Sequence, residues 1–396
     1  MRATTANAQG RLTWRGPVRP GELDPILVTS AMALLALGLV MVASASITVA
    51  ARDFGEPWHY LSKQLVFVGA GIAAAWFVAQ VPLARWQQVA MPLFLTAMAM
   101  LVLVLVPGLG RTVNGSTRWL ELGPVGFQVS EVVKVAVLVY LSDFVVRRPQ
   151  VVRTQWGGFL RPLALVAVAA FLLLLEPDFG AAVVLIAMSL AILFLGGVRL
   201  TRFSILVGAV TAGLALLALS SPYRVERITA FLDPWADPFD SGFQLTQSLI
   251  AIGSGSWTGV GLGASVQKLF YLPEAHTDFL FAIFAEETGL LGVLSVLALY
   301  TALVGRAFLL AGRAERAGMP FAGFLSAGIG LWIALQAFIN IGVNMGVLPT
   351  KGLTLPLMSY GGSSTLVMCA AVGILLRTGY EVEAAARQAR PREATS

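Results

Sequence analysis

Long apolar stretches separated by short polar segments make up most of this chain. A helix needs roughly 20 mostly apolar residues to cross a bilayer, and about ten stretches approach that length. They run 25–50, 61–81, 89–106, 127–146, 159–175, 180–197, 203–219, 279–304, 321–342 and 361–376. The pattern therefore predicts an all-α polytopic membrane protein with about ten transmembrane helices.

The composition agrees with this prediction. Hydrophobic residues make up 57% of the 396 positions and charged residues 12%, whereas soluble domains carry about 25% charged residues. Mean hydropathy is +0.79. The single cysteine, Cys369, lies in an apolar run, which excludes both a disulfide framework and a cysteine-based metal site.

The distribution of basic residues predicts the orientation. An even number of spans places both termini on one side, and alternate loops then collect about 18 Lys and Arg residues on that side and about 8 on the other. Because positive loops face the cytoplasm, residues 1–24 and 377–396 are predicted cytoplasmic tails of one membrane domain, 25–376. The formal charge of +6 thus reflects orientation and is not evidence of nucleic-acid binding.

Three long connections fall on the predicted outer side. The longest, 220–277, joins the seventh and eighth helices, and the other two are 107–126 and 346–360. Aromatic residues recur every four positions in the longest one, at Phe231, Trp235, Phe239 and Phe243. This spacing is typical of an amphipathic segment on the lipid headgroups, and a lid over a substrate is the alternative.

Charged residues inside the predicted fourth helix are functional candidates, because burying a charge in a membrane is costly. Gln128, Glu131 and Lys134 are three residues apart and therefore lie along one helix face near the outer end. Glu131 and Lys134 either neutralise each other inside the bundle or contact a substrate. The sequence leaves both interpretations open.

Further polar residues lie at the predicted outer ends of helices. Arg118 offers a planar guanidinium suited to phosphate, and its neighbour Trp119 is of a type that anchors proteins at the membrane interface. Asp178 follows a sharp turn at Pro177. It either caps the next helix or faces a substrate.

Asp278 stands at the start of the predicted eighth helix. It either caps that helix or acts as a base at the aqueous boundary. His276 has no partner motif for a metal site, and we interpret Glu286 and Glu287 as contributing to helix packing or to a structural network. A polar stripe on the ninth helix is interpreted as holding helices together; it comprises Gln336, Asn340 and Asn344.

The candidates share one property, which is a position in the outer half of the predicted bundle. They are Arg118, Glu131, Lys134, Asp178, His276, Asp278, Lys351 and Ser359. A transporter is expected to hold its binding groups near the bilayer midplane. The distribution therefore favours chemistry at the outer membrane face.

Four sequence runs resemble the SEDS family of bacterial shape, elongation, division and sporulation proteins. They are "NGSTRWLELGPVGFQVSEVVK", "LLEPDFG", "AHTDFLFAIFAEETG" and "NMGVLPTKGLTLPLMSYGGSS". The resemblance extends from about Asp24 to Arg377, with the motifs in the family's order. The Thr-Lys-Gly run in the last motif is closer to the cell-division branch of the family than to the elongation branch.

The resemblance implies a peptidoglycan glycosyltransferase. Its substrate would be lipid II, an undecaprenyl-pyrophosphate-linked disaccharide pentapeptide, polymerised at the periplasmic face of the inner membrane during septal synthesis. The resemblance implies Asp278 as the catalytic residue, and we expect it to act as general base. The predicted substrate-binding residues are Arg118, Trp119, Gln128, Glu131, Lys134, Asp178, Lys351 and Ser359. Arg118 and Lys134 are expected to stabilise the pyrophosphate.

The resemblance also implies partners. These are an FtsI-like class B penicillin-binding protein transpeptidase and the division regulators FtsQ, FtsL, FtsB and FtsN. No cofactor is implied with certainty, although a divalent cation, Mg²⁺ or Mn²⁺, could share the neutralisation of the pyrophosphate. The alternatives are a lipid II flippase, an elongation-type glycosyltransferase and a non-enzymatic division scaffold.

Overall fold

A computed structural model describes residues 5–6, 12–13, 16–113, 116–122, 125–220, 225, 229–240, 242–269, 271–349 and 352–389. Helices occupy every stretch that the apolar pattern predicted. The helices are α1 Pro25–Phe54, α2 His59–Gln80, α3 Leu83–Gln88, α4 Ala90–Val104, α5 Val129–Arg147, α6 Pro149–Thr154, α7 Trp156–Leu175, α8 Phe179–Leu195, α9 Leu200–Leu219, α10 Phe243–Ser254, α11 Leu280–Arg316, α12 Pro320–Asn344 and α13 Gly362–Ala389.

Several helices meet the requirements for crossing a membrane. Among the described residues, six are long and apolar enough: α1, α2, α7, α11, α12 and α13. Shorter apolar helices are α4, α8 and Leu200–Gly213 of α9. Large apolar side chains such as Phe77 and Leu216 are exposed on the surface, as expected where helices face lipid. The predicted polytopic helical membrane fold is confirmed.

The centre of the bundle is formed by α5, α8 and α12, which pack against one another, and by α13, which contacts α5 and α12. Around this centre, α2 packs on α13, α1 on α11, α4 on α5 and α7 on α8. The central helices bury polar as well as apolar side chains. They therefore carry most of the candidate residues into the protein interior.

A small β-sheet replaces part of one predicted loop. Strands β3 Gly110–Val113, β4 Ser116–Leu122 and β5 Val125–Gln128 form an antiparallel sheet in the order β3-β4-β5. Two further strands near the N-terminus, β1 Thr5–Ala6 and β2 Leu12–Thr13, pair with each other. The outer sheet was not predicted, because its strands are short and the hydrophobic pattern there is weak. It delivers residue 128 directly to the start of α5.

The longest predicted loop contains the helix α10 and a series of turns. A helical turn at 229–232 precedes the turns at 234–240. Pro234 and Pro238 interrupt the four-residue aromatic spacing, because proline breaks a helix. Trp235 and Phe239 are exposed. The aromatic residues therefore do not share one helix face, and the headgroup and lid interpretations both remain predictions.

Helix α11 is broken at Gly289, which was predicted to lie inside one continuous span. Gly289 has φ 65° and ψ −164°, a region that is essentially limited to glycine. The break divides α11 into an outer segment, 280–288, and a long segment, 290–316. Residues 256–261 fit into the break, where Leu290 N donates to Ser256 O at 2.9 Å and Val260 N donates to Glu286 O at 3.0 Å.

Replacing Gly289 by Ala is expected to destabilise the protein. Backbone strain alone costs about 1–3 kcal/mol, and the added Cβ would collide with backbone atoms of residues 257–259. Thermal unfolding of the purified protein measures the loss. Gly305→Ala in the same helix is the matched control, since a Cβ there meets open space. Equal melting temperatures for the two variants would contradict the prediction.

Both predicted tails include ordered structure. Residues 16–18 lie against the end of the bundle, where Arg377 Nη1 and Tyr380 Oη donate to the carbonyl oxygens of residues 16 and 17 at 3.0 and 3.1 Å. Gln80 bonds both backbone groups of residue 18. Helix α13 also continues past the predicted limit at residue 376, because its following turns are buried against these contacts.

Candidate active site

Asp278 lies next to the first turn of α11 but does not cap it. Phe279 occupies the N-cap position. The amide of Ala282 in the first turn donates instead to Asn344 Oδ1, at 3.1 Å. The capping role that the sequence offered as one interpretation of Asp278 is therefore performed by Asn344. The catalytic role of Asp278 stays a prediction.

The Asp278 carboxylate is half-buried and faces a glycine of a neighbouring loop. A Cβ at position 352 would lie only 2.9 Å from Asp278 Oδ2. Glycine at 352 therefore lets residues 352–355, here called the bridging loop, approach the carboxylate closely. The Asp278 backbone carbonyl accepts hydrogen bonds from Asn340 Nδ2 at 2.8 Å and Asn344 Nδ2 at 3.1 Å.

The outer sheet and the start of α8 bring together a second set of predicted residues. Arg118 in β4 is 26% exposed, and its Nη1 lies 3.8 Å from Asp178 Oδ1. Gln128 Nε2 donates to Asp178 Oδ2 at 3.2 Å, and half-buried Trp119 pairs with Gln128 across the strands. Asp178 also accepts from Ala181 N at 3.1 Å. It therefore caps α8 and positions Arg118 and Gln128 at once.

The bridging loop connects Asp278 to this second set. Its Gly352 contacts Asp278, and the Leu353 side chain would lie 3.1 Å from a Cβ at Gly180, two residues after Asp178. Gln336 Nε2 holds the loop from beneath by donating to the Thr354 carbonyl at 3.0 Å. The two sets thus belong to one continuous packed framework.

Lys134 lies inside the bundle and not at the exposed surface of the site. Its side chain is 0% exposed. The ammonium donates to Glu131 Oε1 at 2.8 Å and to Gln336 Oε1 at 3.0 Å, and it lies 5.0 Å from the Trp332 ring centre. Of the two cations predicted to meet the pyrophosphate, only Arg118 is partly exposed.

Of the two remaining predicted substrate ligands, Ser359 and Lys351, the structure describes only Ser359. Ser359 is buried, and its Oγ accepts a hydrogen bond from Leu355 N at 2.9 Å. Ser359 therefore closes the loop that follows Gly352, and it does not present its hydroxyl to the outside. Lys351 lies outside the described residues.

His276 belongs to an aromatic cluster beside Asp278. Its ring centre lies 4.5 Å from that of Tyr60 and 5.5 Å from that of Tyr360. Tyr360 N donates to the His276 carbonyl at 3.0 Å. Burial lowers the pKa of His276 below its ordinary value, with a smaller opposing effect from Glu274. The ring is therefore neutral at pH 7.

Glu286 and Glu287 form the structural network that the sequence indicated. Glu286 accepts hydrogen bonds from the Ser265 hydroxyl and the Val266 amide. Glu287 pairs with the Lys268 ammonium at 2.9 Å. The prediction is confirmed, because both carboxylates fasten the outer segment of α11 to the loop that precedes it.

Glu176 is a buried acid for which the sequence suggested no role. It lies in the turn between α7 and α8 and has no exposed surface. Neither carboxylate oxygen has a hydrogen-bond partner within the described part of the chain. Burial raises the pKa of Glu176 to about 8, with help from Asp178 and opposition from Arg118. Glu176 is therefore mostly neutral at pH 7.

A Glu176→Gln variant is expected to gain stability over the wild type as pH rises. The folded wild type keeps this proton up to about pH 8, whereas the unfolded chain loses it near 4.5. The free energy of unfolding of the wild type therefore falls in that window, by up to about 1.4 kcal/mol per pH unit. Melting temperatures at about pH 5 and pH 8 measure the difference. Exposed Glu121→Gln is the control, and a pH-independent difference for Glu176→Gln would contradict the assignment.

The described residues do not form a ready-made metal-binding cluster. They contain no group of three or more His, Cys, Asp or Glu side chains that could hold a metal ion. Mg²⁺ is commonly bound by one or two carboxylates together with substrate phosphates. A divalent cation at Asp278 would therefore need the substrate to complete its coordination.

Comparison with known proteins identifies the family. Residues 25–384 match the FtsW, RodA and SpoVE family of cell cycle proteins. The chain belongs to this family. It is the SEDS family that the four sequence motifs resemble.

SEDS relatives with high identity carry one name. The chain is 60% identical over 360 residues to the "Probable peptidoglycan glycosyltransferase FtsW" of Thioalkalivibrio sulfidiphilus, covering 91% of this chain and 90% of the relative. It is 55% identical over 376 residues to the protein of the same name from Halorhodospira halophila, covering 95% of each.

Solved SEDS structures share the fold. One, described as "Structural coordination of polymerization and crosslinking by a peptidoglycan synthase complex", has a TM-score of 0.75 and 32% identity, covering 91% of this chain and 98% of that one. The crystal structure of the rod shape determining protein RodA of Thermus thermophilus has a TM-score of 0.66 and 30% identity, covering 90% and 96%.

Proposed function

We propose that this protein is a peptidoglycan glycosyltransferase that polymerises lipid II during septal cell-wall synthesis. The observation that carries the proposal is the framework that joins a half-buried acid, Asp278, to a partly exposed cation, Arg118, through one loop. Relatives named as FtsW glycosyltransferases support it. Their identity of 55–60%, against 30% for the RodA structure, favours a division role over an elongation role.

The reaction requires one base. The 4-hydroxyl of the acceptor sugar is too weak an acid to ionise alone, so Asp278 accepts its proton as the oxygen attacks the anomeric carbon of the donor. The new glycosidic bond forms while the bond from that carbon to the pyrophosphate oxygen breaks. A single displacement of this kind inverts the anomeric centre. The lipid pyrophosphate departs as an anion, so that no second acid is needed.

The leaving group requires positive charge. Arg118 presents a guanidinium whose planar donors suit phosphate oxygens, and Asp178 with Gln128 holds it at the edge of the site. Lys134 contributes from beneath, because it fixes Gln336 and thereby the bridging loop. Arg118 is thus the residue to which we assign direct contact with the pyrophosphate.

The setting of the reaction is the periplasmic face of the bacterial inner membrane at the division septum. A class B penicillin-binding protein is the proposed partner, in agreement with the related peptidoglycan synthase complex. The division regulators FtsQ, FtsL, FtsB and FtsN are proposed as further partners. The loops around Asp278 and Arg118 would face this assembly on the outer side.

The deciding experiment is polymerisation in detergent. The protein, co-purified with its partner transpeptidase and treated with a β-lactam to block crosslinking, is incubated with purified lipid II. Glycan strands that a muramidase degrades are the expected product. Without a bilayer, transfer across a membrane cannot occur, so strands would exclude a pure flippase or scaffold. Absence of strands, together with reorientation of fluorescent lipid II in vesicles, would overturn the proposal in favour of a flippase.

A further inference from the structure

Asn340 joins the two loops of the candidate site through a single amide group. Its Nδ2 donates to the Asp278 carbonyl at 2.8 Å and to the Leu353 carbonyl at 2.6 Å. The residue is 2% exposed. One buried nitrogen therefore fixes the distance between the chain carrying the acid and the bridging loop beside it.

The orientation of this amide is determined by its surroundings. Both groups that face Nδ2 are carbonyl oxygens, which only accept hydrogen bonds. A flipped amide would place Oδ1 against two other acceptors, so the observed orientation is the favourable one. In that orientation Oδ1 is buried without a partner among the described residues. The orientation that pairs the Asp278 and Leu353 carbonyls therefore leaves Asn340 Oδ1 without a partner among the described residues.

Asn344, one turn further along α12, supports the same arrangement. Its Nδ2 donates to the Asp278 carbonyl and, at 2.8 Å, to the Asn340 carbonyl. Its Oδ1 accepts from Ala282 N. The Asp278 backbone is therefore held by two asparagines of one helix, and the outer segment of α11 begins at a fixed point.

We propose that Asn340 is a positioning residue for the glycosyl transfer, holding Asp278 at the distance from the bridging loop that the acceptor hydroxyl requires. The inference rests on the proposed function. Asn340 does not touch the substrate, because its side chain is buried. It acts through Asp278, and a displacement of a catalytic group by about 1 Å can reduce a rate 100-fold.

The test is the isosteric Asn340→Asp variant. At about pH 9 an ionised carboxylate would face two carbonyl oxygens, so both hydrogen bonds are lost and the loops separate. We expect kcat for lipid II polymerisation to fall about 100-fold, with KM changed less than about threefold. Burial against acceptors raises the pKa of the new acid. At about pH 5.5 its protonated form can donate one hydrogen bond, so the rate relative to wild type should recover at least tenfold.

Three further variants complete the experiment. Asn340→Ala removes the donors at every pH and should show no recovery. Ser326→Ala is the control, because Ser326 is also buried in α12 but its hydroxyl has no partner within the described residues; it should keep wild-type rates. If Asn340→Asp does not fold, Asn340→Ser provides the test. The serine hydroxyl can donate to only one of the two carbonyls, so this variant should have a lower kcat without a higher KM.

The outcomes separate this inference from the proposed function. Wild-type kcat in Asn340→Asp, or equal losses in the Asp and Ala variants at both pH values, would overturn the positioning role and leave the glycosyltransferase intact. A wild type that forms no strands would overturn both. Loss at pH 9 with recovery at pH 5.5 in Asn340→Asp, and no recovery in Asn340→Ala, supports Asn340 as a positioning residue.

Discussion

An Asp278→Asn variant is expected to polymerise lipid II about 10²–10⁴-fold more slowly than the wild type. Asparagine keeps the size of the side chain but cannot accept the proton of the attacking hydroxyl. Folding should be unaffected, because Asn340 and Asn344 hold the backbone carbonyl of residue 278 and not its carboxylate. The measurement is the initial rate of glycan strand formation, with thermal unfolding and partner binding recorded on the same preparation.

Asp53→Asn is the matched control for this loss. Asp53 is an exposed acid at the end of α1 that pairs with its neighbour Arg52. It lies outside the framework that contains Asp278, so its variant should retain the wild-type rate. Normal polymerisation by Asp278→Asn would contradict the assignment of the base. Equal losses in both variants would point to a general effect of negative charge on the outer surface.

Replacing Lys134 by Leu is expected to destabilise the protein by about 3–5 kcal/mol, because it leaves the charge of Glu131 buried without its partner. The Lys134 side chain has no exposed surface and the Glu131 side chain is 5% exposed. The change also removes a donor to Gln336 and a cation over the Trp332 ring. Chemical or thermal unfolding in detergent measures the effect.

The double variant Glu131→Leu with Lys134→Leu is the control for this prediction. Replacing both members of a buried pair by apolar residues is often neutral, so most of the stability should return. Arg118→Leu provides the contrast, because Arg118 is partly exposed; it should raise KM for lipid II with a smaller loss of stability. A stable Lys134→Leu protein with a raised KM would instead make Lys134 a substrate ligand.

The helices could be predicted from the sequence because apolar stretches of sufficient length have few other structures available in a membrane. The break in α11 could not. Residues 280–304 were predicted as one span that is apolar apart from Glu286, Glu287 and Thr288, and a glycine inside such a span does not by itself end a helix. The need for Gly289 arises only when residues 256–261 pack into the break.

The candidate residues were found for a similar reason. A charged or polar side chain in an apolar helix is conspicuous, and this criterion selected Glu131, Lys134 and the asparagines of α12. It cannot tell which of them is exposed. Lys134 and Arg118 were assigned the same role, yet only their packing partners distinguish a buried ion pair from a cation at the surface. The sheet that positions Arg118 also required pairing between short strands, which sequence patterns specify weakly.

The contacts of residues 16–18 restrict the topology of the whole chain. They form hydrogen bonds with Arg377 and Tyr380, which lie more than 350 positions later in the sequence. Opposite membrane faces are about 30 Å apart, so these partners must emerge from the same face. The polypeptide between them therefore crosses an even number of times, and nine or eleven passages are ruled out by parity. Reporter domains fused to the two termini should accordingly be found in one compartment.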